Sequence, residues 1–137
     1  MSPDELANLI VGGDVDSVSA ALREDPSLIA RPDQNGDLPL HVACWQKQLG
    51  IIGVLAAHRP DVNARGCHGR TPLHYAVHEG DAISIPIVID LLGRGADPSI
   101  RDDNGFTPED WAKIEMETGL PEVLALLRGV GKMTKKP

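Results

Sequence analysis

Residues 67–81 read CHGRTPLHYAVHEGD. Cys67, His68, His74 and His78 crowd into twelve positions. His74 and His78 stand four apart, a spacing that sets two imidazoles on one helical face, as zinc sites do. The stretch has a second reading, because it is one copy of a repeat. Set beside QNGDLPLHVAC (34–44) and DNGFTPEDWAK (103–113), it aligns Gly69 with Gly36 and Gly105, Pro72 with Pro39 and Pro108, and Ala76 with Ala43 and Ala112. The spacings are 33 and 36 residues. Downstream, VLAAHRPDVNARG (54–66) lies over DLLGRGADPSIRD (90–102).

Each copy parses as a structural unit. A glycine turn precedes a helix start, where the Thr71 and Thr107 hydroxyls can cap and Pro72 and Pro108 take the first helical position. A short helix with alanine on one side follows, then a second helix rich in Leu, Ile and Val. Gly95 suits a left-handed stop to that second helix. The apolar runs are too short and one-sided to make a core alone, so each pair must stack on its neighbours.

TPLHYAVHEGD followed by LLGRGADPSIRDDNGFTP resembles the ankyrin repeat, whose signature is T-P-L-H-x-A with a G-A-D turn. The resemblance covers roughly residues 3–130. It implies an all-α solenoid of about four stacked helix-turn-helix units with protruding turn or hairpin loops. Residues 1–130 then form a single domain: a degenerate N-terminal capping repeat (about 3–33), repeats at 34–66 and 67–102, and a C-terminal capping repeat (103–130). Residues 131–137 read as a basic flexible tail. Gly36, Pro39, His41, Gly69, Thr71, Pro72, His74, Gly105, Thr107 and Pro108 occupy the motif positions. The resemblance makes the motif histidine, His74 here and His41 before it, a structural residue that bonds neighbouring loops.

Departures from the pattern carry expectations of their own. SPDE at the start forms a capping box, with Ser2 as cap, Pro3 first in the helix and Glu5 reaching back. Leu38 replaces the motif threonine and removes a hydroxyl cap, at a cost of roughly 1 kcal/mol. Arg59 sits where glycine would end a helix, so a left-handed backbone there is strained. Glu109 and Asp110 replace Leu-His and suit the positive end of the helix dipole. The last two units hold about three extra residues, in GDAISIPIVID and EMETGLPEV. Pro86 and Pro121 are expected to start their second helices, giving a longer lip on the C-terminal half.

Composition narrows the functional classes. The chain has 137 residues and only 3% aromatics, so its core must be built from Leu, Ile, Val and Ala. Its net charge is −7, unevenly spread: all 20 acids and 9 of the 13 Lys and Arg precede Arg128, while RGVGKMTKKP carries four bases and no acid. An acidic body argues against nucleic acid and for a partner with a neutral or basic surface. No run approaches the roughly 18 apolar residues that cross a bilayer, and acids stand where a secretory signal carries positive charge. Two cysteines, Cys44 and Cys67, are too few for a disulfide framework. The expectation is a cytoplasmic, monomeric protein without membrane contact.

Catalysis finds no support: there is no G-x-S-x-G elbow, H-E-x-x-H, phosphate loop or dinucleotide turn. No cofactor is implied. Once the repeat accounts for His74, a metal site is left with Cys67, His68 and His78, which lack paired zinc-site spacing. Cys44 reads as a small buried hydrophobe. A repeat stack instead offers a concave surface of turn tips and first helices. The resemblance makes the following residues partner-facing: Gln34, Asn35, Asp37, Trp45 and Gln46 in the first full unit; Arg65, Cys67, His68, Arg70, His78 and Glu79 in the second; Asp103, Asn104, Phe106, Ile114 and Glu115 in the third. Trp45 and Phe106 are the expected anchors, and Trp111 is expected in the core. The reading is a non-catalytic protein-binding module, a stand-alone adaptor or inhibitor. Its sharper alternative is an immunity- or antitoxin-like inhibitor of a basic enzyme. LAAHRPDVN (55–63) also resembles the asparagine-hydroxylation context of eukaryotic ankyrin repeats.

Overall fold

A computed structural model describes residues 1–79, 82–115 and 121–133, with the backbone alone at 115 and 130–133. The described chain holds eight α-helices and no strand: α1 (Pro3–Val11), α2 (Val15–Glu24), α3 (Pro39–Trp45), α4 (Leu49–Ala56), α5 (Pro72–Val77), α6 (Ser84–Gly93), α7 (Pro108–Glu115) and α8 (Pro121–Met133). The odd-numbered helices form one layer, α1 against α3, α3 against α5 and α5 against α7. In the second layer α2 packs on α4 and α6 on α8.

Local chemistry sets each helix start. Ser2 Oγ accepts from Glu5 N, and Glu5 Oε1 accepts from Ser2 N, both at 3.1 Å, closing the capping box of α1. The Gly12-Gly13 turn passes through φ +74° at Gly13, and Asp14 then caps α2 by accepting from Ser17 N. At α3 no side-chain cap bond forms, and the Leu38 N–H donates to His41 Nδ1 at 3.0 Å, as Thr71 N does to His74 at α5. At α7, Asp110 takes the place of the motif histidine. Its N–H donates to Thr107 Oγ1 and its carboxylate accepts from Thr107 N.

Two helix boundaries differ from the sequence reading. Helix α6 begins at Ser84, two residues before Pro86. Pro86 falls in the first turn, where its missing N–H leaves no intrahelical bond unmade. Helix α8 runs through Met133, so residues 131–133 are helical rather than tail. Residues 134–137, the GD of the first insertion and METGL of the second lie outside the described residues, so the expected lip does too.

A thin apolar ribbon joins the two layers. Leu6, Ile10, Leu22, Ile51, Leu55, Leu73, Ile87 and Leu91 are fully buried along it, with Ala43 and Ala76 where the inner helices come close. Cys44 belongs to this ribbon, and burial pushes its thiol up to about 12. The connecting turns repeat one geometry. The N–H groups of Asp33, Gly66 and Asp102 donate to the carbonyls of Asp37, Arg70 and Phe106 at 2.8, 2.7 and 2.8 Å. Gly36, Gly69 and Gly105 complete these turns at φ of 84°, 70° and 83°, a region closed to most side chains. Arg59 adopts φ 52° without that freedom.

Candidate protein-binding face

Two positions per unit, three residues apart, present side chains from the inner helices to one surface. Val42, Tyr75 and Trp111 form one row, while Trp45, His78 and Ile114 form the row beside it. The aromatic members interlock across three units. The Trp45 ring stacks on His78 with centroids 4.3 Å apart and planes at 11°, and it meets Tyr75 edge-on at 5.3 Å. His78 meets Trp111 edge-on at 5.9 Å, and Trp111 meets Phe106 at 6.2 Å. The chain contains two Trp, one Tyr and one Phe, so this ladder takes every one of them. Trp45 keeps 41% of its surface exposed and Phe106 37%.

Trp111 departs from the core position expected of it. It is half-buried, and its indole N–H donates to Asp102 Oδ2 at 2.9 Å. Burial alone would raise the Asp102 carboxyl. The hydrogen bonds from Trp111, Phe106 and Asn104 outweigh burial and hold it below its ordinary value.

Beside the ladder lies a groove of about 480 Å³ between α1 and the turn tips. Gln34, Asn35, Asp37, Trp45, Gln46, Cys67, His68 and Arg70 line it, together with Asp4, Asp33, Val11 and Val42. Three carboxylates there spend one oxygen each on the scaffold. Asp4 Oδ1 accepts from Gln34 N, Asp33 Oδ1 from Asn35 N and Asp37 N, and Asp37 Oδ1 from Cys67 N and the Tyr75 hydroxyl. Burial and the Asp37 carboxylate together raise the Tyr75 phenol well above its ordinary range. The structure also explains Gly66: a Cβ there would meet the Asp37 carboxylate and the His41 ring.

The family pattern described as ankyrin repeats (3 copies) matches residues 6–102. The chain belongs to the ankyrin-repeat family. It is 33% identical over 134 residues to an ADP-ribosylation factor GTPase-activating protein of Arabidopsis thaliana, across 90% of this chain and 17% of that protein. It is 38% identical over 101 residues to a putative ankyrin repeat protein of Acanthamoeba polyphaga mimivirus, across 71% of this chain and 13% of that one. A palmitoyltransferase of Saccharomyces cerevisiae shares 43% over 77 residues, across 56% of this chain and 9% of the enzyme. The chain spans less than one fifth of the length of these relatives, and the likeness is to their ankyrin portions. Ankyrin repeats serve as protein-interaction modules, and the fold is typically non-catalytic.

Within this ankyrin solenoid, the motif histidines brace the loops that join successive units. The ring Nδ1 of His74 accepts from Thr71 N at 3.0 Å and lies 2.8 Å from the Thr71 hydroxyl, while Nε2 donates to the Phe106 carbonyl at 2.8 Å. His41 accepts from Leu38 N in the same way, but its Nε2 donates at 2.8 Å to Ala64 O, at the end of its own repeat. Burial pushes both imidazoles below their ordinary value. The Asn63 side chain bridges units further out, donating to Gly95 O and accepting from Asp97 N.

The remaining nominated residues divide. Arg65 reaches the Gly69 and Arg101 carbonyls and the Asp103 carboxylate, so that pair clamps adjacent turns while staying exposed. Phe106 and Ile114 border a second, shallower hollow with Arg101 and Lys113. Asn104 is exposed at the turn tip, and Glu79 is exposed at φ 48°. The Glu115 side chain lies outside the described part. Cys67 and His68 sit in a turn and His78 stacks on Trp45. Among the described residues no three His, Cys, Asp or Glu side chains gather to hold a metal. Among the described residues no helix is long and apolar enough to cross a membrane. Sequence reasoning passed over Tyr75 and Trp111 as members of this face. The signal was available, since both stand three positions before His78 and Ile114 in the repeat.

Proposed function

We propose that the protein is a non-catalytic binding module that grips a partner protein on the face built by Trp45, Tyr75, His78, Trp111 and Phe106. One observation carries the reading: a chain with so few aromatics gathers all of them on one surface and leaves the two end members, Trp45 and Phe106, more than one third exposed. Large rings with a solvent-facing edge lose apolar surface to water that a partner would cover, and tryptophan is the commonest interface anchor. The test is a photoreactive benzoylphenylalanine placed at Gln46, beside Trp45, and separately at the exposed Ile89 of α6 in the other layer. The same partner should crosslink from position 46 and not from 89. Equal yields from both positions contradict the assignment.

A second reading is an inhibitor of an enzyme with a basic cleft. The groove favours it, because among the described residues Asp4, Asp33 and Asp37 each use only Oδ1 on the scaffold and form no ion pair. An enzyme partner whose turnover is unchanged at saturating protein would leave scaffolding as the role.

A further inference from the structure

Lys47 holds a left-handed backbone that glycine holds at the same point of the unit before. The turns after α1 and α3 share one hydrogen-bond pattern. Gly13 N donates to Ile10 O and Asp14 N to Leu9 O, as Lys47 N does to Cys44 O and Gln48 N to Ala43 O. Gly13 takes φ 74° there and Lys47 takes φ 55°. That conformation is open to glycine and strained in lysine, so the backbone supplies no reason for this side chain. The reason lies in where the side chain goes.

The ammonium leaves its own unit. It lies 2.9 Å from Tyr75 O and 2.8 Å from His78 O, with Cys44 O at 3.4 Å. Its N–H donors thus meet three carbonyls at the C-terminal ends of two neighbouring helices, where the helix dipole also favours a cation. A planar, fork-shaped guanidinium matches such a converging set less well. Helix α5 has six residues and closes on His78 with an extended backbone, ψ 132°, followed by Glu79 at φ 48°. Trp45, the equivalent of His78 in the unit before, is still helical. The His78 N–H is held by the His74 and Tyr75 carbonyls, but beyond it the chain has left the helix. Lys47 holds the His78 carbonyl from the preceding unit.

The ring of that same residue carries the middle of the aromatic ladder. His78 lies flat on Trp45 and meets Trp111 edge-on. Trp45 stands two residues before Lys47, and it also meets the ring of Tyr75, whose carbonyl Lys47 holds. One ammonium therefore fixes the backbone on both sides of the stack.

We propose that Lys47 is the positioning residue of this face: by pinning the end of α5 to the end of α3 it sets the His78 ring flat on Trp45, and so fixes the aromatic surface that a partner meets. The proposal rests on the concave-face reading for its use, but not for its test.

The test is the imidazole Cε1–H proton resonance of His78 in the full chain at about pH 8, above the ordinary histidine range. Its loss in His78→Gln assigns it. An aromatic face shields a proton held over it, so the wild-type signal should lie upfield of that of the exposed His68. Trp45→Leu marks where the signal falls without the stack. In Lys47→Met and Lys47→Gly it should move most of the way to that mark, while His74, held by Thr71 and Phe106, keeps its place. Glycine makes the same turn at position 13, so Lys47→Gly keeps the test open where the methionine variant fails to fold. Lys47→Arg retains a charged donor and should recover part of the displacement. A role in stability alone would lower the urea midpoint and leave the signal where it was. A His78 signal unmoved in folded Lys47→Gly therefore overturns the proposal, and so does a wild-type signal already at the Trp45→Leu position. Neither result involves a partner, so either sinks this inference alone, and crosslinking from positions 46 and 89 decides the face separately.

Discussion

Replacing His74 by leucine probes the tie between consecutive repeats at a buried point. His74 is 2% exposed and Thr71 1%. The substitution keeps an apolar side chain in the space but removes the acceptor for Thr71 N and the donor to Phe106 O, bonds of 3.0 and 2.8 Å. Thr71 N and the buried Thr71 hydroxyl lose their partner at about 1–3 kcal/mol each, while Phe106 O keeps the bond from Asp102 N and leucine's apolar surface returns part of the loss, so the net should be about 2–4 kcal/mol. Urea unfolding at pH 7.5, followed by far-ultraviolet circular dichroism, reads this as a lower midpoint at unchanged slope. His41→Leu should lose a similar amount, because its ring spans Leu38 N and Ala64 O in the same way. A loss below about 1 kcal/mol at both sites would refute the claim that these rings tie the solenoid together.

Two further outcomes follow from the same geometry. Burial holds the folded pKa of His41 and His74 below 6.5, so between those values the unfolded chain binds more protons than the folded one. Stability is therefore full above about pH 6.5 and should fall as the pH drops through and below it, by up to about 1.4 kcal/mol per unit for each histidine. Unfolding free energies that stay flat from pH 7.5 to 5 would contradict this. At Arg59, which holds φ 52°, glycine removes left-handed strain of about 1–2 kcal/mol and adds unfolded-state entropy. Arg59→Gly should raise stability by about 0.5–1 kcal/mol in the same urea assay, and a decrease would place the strain elsewhere.

The repeat made the scaffold legible in sequence, because glycine turns, Pro at the first helical position and the motif histidine are each demanded by backbone geometry. Compensation was harder to read. Leu38 leaves α3 without a side-chain cap, as read, while the ring three residues later accepts the Leu38 N–H just as His74 does beside Thr71. The start of α6 shifted two residues because proline fits any position of the first turn. Trp111 was assigned to the core from its neighbour Ala112. Its indole N–H needs a polar partner, which the buried Asp102 supplies, and the ring packs against the core while staying half-buried. The pairing of Trp45 with His78 depends on which side chains meet across units 33 residues apart, which no single repeat encodes.

The most direct measurement is the affinity of a crosslinked partner for wild type, for Trp45→Ala with Phe106→Ala, and for Ile89→Ala. These replace exposed apolar side chains on opposite layers, so the comparison separates a specific face from general stickiness. Loss of the two aromatic anchors should weaken binding by at least about 2 kcal/mol, roughly thirtyfold, while Ile89→Ala changes it less than about twofold. Equal affinity for wild type and the double variant, with both folded, would contradict the account.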